Sequence, residues 1–78
     1  MESMNWREHI TVDPEVLHGA ACIAGTRIPV SVVLDNLSAG MAVEELLEEY
    51  PTLSRVTVAA ALAYAAELTR ERLVAFSA

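Results

Sequence analysis

Cysteine occurs once in the 78 residues, at Cys22, so the chain can form no internal disulfide. One thiol with the distant His9 and His18 does not make a zinc-ligand spacing either. A very small domain without these two reinforcements must rely on tight helix packing or on a partner chain. Lysine is absent: the 5 basic residues are all arginine, against 11 acids, for a net charge of −6. Phosphate contacts supply most non-specific nucleic-acid affinity, so such a chain starts at a disadvantage as a DNA binder. Its charge suits a basic partner, or simply a well-solvated surface. Long hydrophobic runs are also missing. The longest, 56–66, is interrupted by Thr57 and bounded by Arg55 and Glu67, too short to span a bilayer. The first residues lack the basic-then-apolar layout of a signal peptide, so the expected location is cytoplasmic.

What is abundant is alanine. The chain is 54% hydrophobic but only 5% aromatic, and alanines fill the gap. Alanine favours helix yet contributes little buried area, so the core is expected to be thin. Residues 1–78 are expected to form one small, mainly α domain, a three-helix bundle with a short extended N-terminal region. Residues 10–28 read as extended or hairpin. Ile10-Thr11-Val12 alternates and ends at the turn starter Asp13-Pro14. Residues 21–23 and 26–28 flank Ala24-Gly25, where glycine can supply the positive φ of a tight hairpin.

Helical spacing follows. Val30, Val33, Leu34 and Leu37 predict a helix over 29–39, with Pro29 at its start and Gly40 past its end. Val43, Leu46, Leu47 and Tyr50 predict a second over 42–50, stopped by Pro51. Glu44, Glu45, Glu48 and Glu49 line its other face, either as a solvated surface or as a dock for basic groups. A long helix is predicted over 54–74, with Ser54 as N-cap and Leu53 and Val58 spaced as a hydrophobic staple. Between 56 and 66 it is apolar almost all round. A helix of that kind is expected to be buried on all sides, which two short helices cannot do alone. A homodimer follows, with Ala60, Ala63 and Tyr64 as candidate interface residues.

Candidate chemistry is sparse. No nucleophile constellation or phosphate-cradling loop is present, so neither an enzyme nor a cofactor or small-molecule ligand is implied. The two helices around Pro51-Thr52-Leu53-Ser54 have helix-turn-helix proportions, yet 56–66 contains no arginine, lysine, asparagine or glutamine to read bases. Arg55 and Thr57 at the helix start, and Arg27 from the extended zone, are the remaining candidates for phosphate or partner contact. Arg27 has a structural alternative, an ion pair with Asp13 or Asp35.

The combination Asp13-Pro14, Gly19, Gly25-Thr26-Arg27-Ile28-Pro29-Val30, Gly40, Glu44-Glu45-Leu46-Leu47, Tyr50-Pro51-Thr52-Leu53 and Ala60-Ala61-Leu62-Ala63-Tyr64-Ala65 resembles domain-of-unknown-function family 433 over 10–66. In it Gly25, Thr26, Arg27 and Pro29 form the family's turn motif. The resemblance implies a homeodomain-like three-helix fold after short strands. It also implies similarity to VapB-type antitoxins, which dimerise, neutralise a PIN-like ribonuclease toxin encoded beside them and repress their own operon.

The chain departs from the family pattern at Ala20 and Ala21, where Lys-Pro is usual, and at Ala24, often arginine. Ala42 replaces a capping serine or threonine. Thr57 replaces an acid, so the reciprocal capping box of the third helix is expected to be missing. The lost positive charge counts further against DNA, which is expected to bind weakly. The functional reading is therefore a protein-binding, antitoxin-like module. Its alternatives are a dimeric helix-turn-helix DNA-binding regulator and an adaptor dimer with neither activity. In the antitoxin reading Arg70 and Arg72 plug an acidic nuclease site, with Leu73 and Phe76 as apolar anchors, or the acidic second helix meets its basic rim.

Overall fold

The computed structural model describes residues 5–76, the side chains of Leu17 and 71–76 lying outside the described set. Three helices follow a two-stranded antiparallel sheet. A 3-10 turn at Trp6–Glu8 leads into β1, Ile10–Val12, which pairs with β2, Ala21–Ile23. Ile10 stands opposite Ile23 and both are buried. The connection opens at Asp13-Pro14, where the Asp13 carboxylate accepts the Glu15 N–H at 2.9 Å.

The extended zone differs from expectation in its pairing. β2 takes β1 as its partner, and residues 26–28 form no strand. What remains of the expected hairpin is a bridge between Cys22 and Pro29, the Ile23 N–H donated to the Ile28 carbonyl (2.9 Å) and the Thr26 N–H donated to the Ile23 carbonyl (3.0 Å). The reason is local. Pro29 has no N–H to continue a ladder, and it turns the chain directly into a helix.

The helices are α1 (Val30–Ser38), α2 (Val43–Glu49) and α3 (Arg55–Phe76), where sequence spacing predicts 29–39, 42–50 and 54–74. Pro29 stays outside α1 in extended geometry, φ −68° and ψ 149°. At the other end Gly40, φ 100°, lets its own N–H reach the Leu37 carbonyl and the Met41 N–H reach that of Asn36. That pair of bonds is the Schellman arrangement, and it needs the left-handed residue glycine supplies. At α2, Ala42 has no side-chain acceptor, so only half of a capping box exists: its N–H is accepted by the Glu45 carboxylate at 2.9 Å.

The start of α3 corrects a second expectation. The capping box is present, closed by Thr57 in place of an acid. Ser54 donates its N–H to the Thr57 hydroxyl (2.9 Å), and Thr57 donates its N–H to the Ser54 hydroxyl (3.2 Å). A threonine oxygen accepts as a carboxylate does, without the charge. Leu53 and Val58, the staple pair, are both buried beneath it.

Ile10, Ile23, Val30, Val33, Leu46, Leu53 and Val58 meet in one cluster with Ala60 and Ala61. Ala60 and Ala61 have no exposed surface. None of the buried side chains described is polar or charged. Burial of α3 is one-sided within the chain, unlike the all-round burial expected from its composition: Val56 is 50% and Leu62 48% exposed. Since Ala60 packs inside its own chain, Ala60→Glu would force a charge into a dry core with no partner. It should abolish cooperative unfolding in far-ultraviolet circular dichroism, and a stably folded variant would contradict this packing.

Candidate functional site

Three surfaces carry the residues singled out by sequence. The first is the turn 24–29. Gly25 takes φ 78°, a conformation that any side chain would strain. The Thr26 hydroxyl donates to the Ile23 carbonyl (2.8 Å) and accepts the Ile28 N–H (3.0 Å), closing the turn from both sides. Pro29 then ends it against Cys22. Gly25, Thr26 and Pro29 thus build the loop, and Arg27 stands exposed on it. The pairing of Arg27 with Asp13 or Asp35 is not formed: the ion pairs among the described residues are Arg55 with Glu44 and Arg70 with Glu67.

The second surface is the junction of α2 and α3. Arg55 donates to the Glu44 carboxylate, tying the two helices together at the protein surface. That hydrogen bond, helped by the guanidinium charge, holds the Glu44 carboxyl below its ordinary 4.5. Thr57 is consumed by the cap of α3. Both candidate readers are therefore already engaged. Of the four acids on α2, Glu44 pairs with Arg55 and Glu45 caps Ala42, while Glu48 and Glu49 face solvent.

The third surface is the outer face of α3. Val56, Ala59 and Leu62 are exposed at successive helical spacings, continued by the half-buried Ala63 and Ala66. The candidate interface residues Ala60, Ala63 and Tyr64 do not share one surface. Ala60 belongs to the core, and Tyr64 is covered by Trp6, whose ring meets it edge-on with centroids 5.0 Å apart. Ala63 alone of the three lies on the open side, because residues 60 and 64 share the face turned toward the chain's own elements. A helical projection of 56–66 divides these faces; what it cannot tell is which side the rest of the chain covers. Arg70 is exposed and donates to Glu67 at 3.4 Å. The side chains of Arg72, Leu73 and Phe76 lie outside the described residues. Among the described residues no three His, Cys, Asp or Glu side chains gather as a metal site, and no helix is long and apolar enough to cross a membrane.

The model of the family described as "Protein of unknown function (DUF433)" matches residues 10–65. The uncharacterized protein y4eO of Sinorhizobium fredii (strain NBRC 101917 / NGR234) is 39% identical over 59 residues, 76% of this chain and 27% of that protein. A crystal structure of a DUF433 member from Anabaena variabilis ATCC 29413 matches with a TM-score of 0.75 and 33% identity, over 81% of this chain and 62% of that one. The chain thus spans little more than a quarter of the first relative and under two thirds of the second.

Two outcomes follow for the turn and the junction. Thr26→Val keeps the shape but leaves the Ile28 N–H without its partner, while the Ile23 carbonyl keeps the Thr26 N–H, at a cost of about 1–3 kcal/mol. Arg27→Ala should stay within about 0.5 kcal/mol of the parent, both read by urea unfolding. Glu44 contributes stability above its unfolded-state pKa and loses it as pH falls through its lower folded-state value. Its carboxyl carbon should titrate below 4.5 by nuclear magnetic resonance and move upward in Arg55→Ala; no movement would discount the ion pair in solution.

Proposed function

Since the chain belongs to the DUF433 family, we propose that it is a non-catalytic protein-binding module of the cytoplasm, the antitoxin-like partner of a PIN-like ribonuclease, with α3 as its docking helix. The observation that carries this reading is the open apolar side of α3: Val56, Ala59 and Leu62 in water, with Ala63 and Ala66 beside them. Alanines at this spacing let a second helix approach closely, while Val56 and Leu62 supply most of the area to be buried. Self-association through the same face is part of the reading.

DNA binding is the weaker alternative. Arg55 is already neutralised by Glu44, Thr57 is engaged in a cap, and the chain carries a net charge of −6. Base reading by Arg55 would have to break its pair with Glu44, and reading by Thr57 would have to open the cap of α3.

Light scattering coupled to size exclusion tests the docking face. Leu62→Glu should reduce the particle to one chain of 8.4 kDa without lowering its unfolding midpoint, because the position is outside the core. A parent protein that is monomeric at high micromolar concentration would remove the self-association. Co-expression with the adjacent nuclease tests the antitoxin assignment: co-purification and growth rescue are expected, and failure of both sinks it. Truncation after Leu68 removes Arg70, Arg72 and Phe76. Rescue that survives truncation places the contact on the helical domain; rescue that disappears places it on the C-terminal segment.

A further inference from the structure

We draw no further inference here: the strongest candidate, the exposed Arg27 on the braced turn beside the N-terminus of α1, which no side chain caps, pairs a surface guanidinium with a helix end and has no buried polar side chain among the described residues to mark a ligand site.

Discussion

The fold depends on how closely the other elements approach α3 at Ala60 and Ala61. These two residues have no exposed surface, so the neighbouring elements rest nearly on the helix backbone. A methyl group is the largest side chain that such an approach admits, and it gains little from leaving water. The remaining cluster is aliphatic, with Leu46, Val33 and Ile23 as its largest wholly buried members beside Cys22. Aromatic rings sit at its margin, Trp6 and Tyr64 on one side and Tyr50 on another. A thin centre with rings at the edge is what a chain of many alanines and few aromatics can build.

A core of this size leaves the geometry of the connections to hydrogen bonds. Gly40 and Met41 close α1, Ser54 and Thr57 open α3, Glu45 caps α2, and Thr26 binds both limbs of the turn before α1. Each contact of this kind is worth on the order of 1 kcal/mol, a large share of the marginal stability of a small domain. The caps of α2 and α3 are exposed side-chain hydrogen bonds, whereas the Thr26 bonds are half-buried and the α1 stop uses backbone alone. Residues in the connections of this chain therefore control its shape, while the outer face of α3 takes no part in it.

The helices were legible because their periods are bracketed by residues with one physical meaning, Pro29, Gly40 and Pro51. Strand partnership was less so. The segment 21–23 had apolar neighbours on both sides, and only Pro29's missing N–H distinguishes a strand partner from a turn. The cap at Thr57 was hidden because the usual pattern has a carboxylate there, although any oxygen at that position accepts the bond. Arg55 with Glu44 spans 11 residues and two helices, so no local pattern announces it. The different surroundings of Ala60, Ala63 and Tyr64 were hidden for a related reason. Composition shows that a stretch is apolar, but which of its sides the chain covers depends on elements far away in sequence, here Trp6 on Tyr64.

The residues that carry the family resemblance divide in the same way. Gly25, Thr26, Pro29, Gly40, Leu46, Leu53, Ala60 and Ala61 each serve the structure in a definite way, by a positive φ, a bridging hydroxyl, a helix start or a place in the core. A motif made of such residues specifies a frame and says little about what the frame holds. Arg27 is a member that the frame does not use, since it is displayed on a braced loop without an ion-pair partner among the described residues. The open side of α3, where Val56 and Leu62 stand in water, is likewise not used by the frame. Family membership accordingly informs the fold strongly and the partner weakly, because the residues that define membership are largely committed to holding the chain in shape.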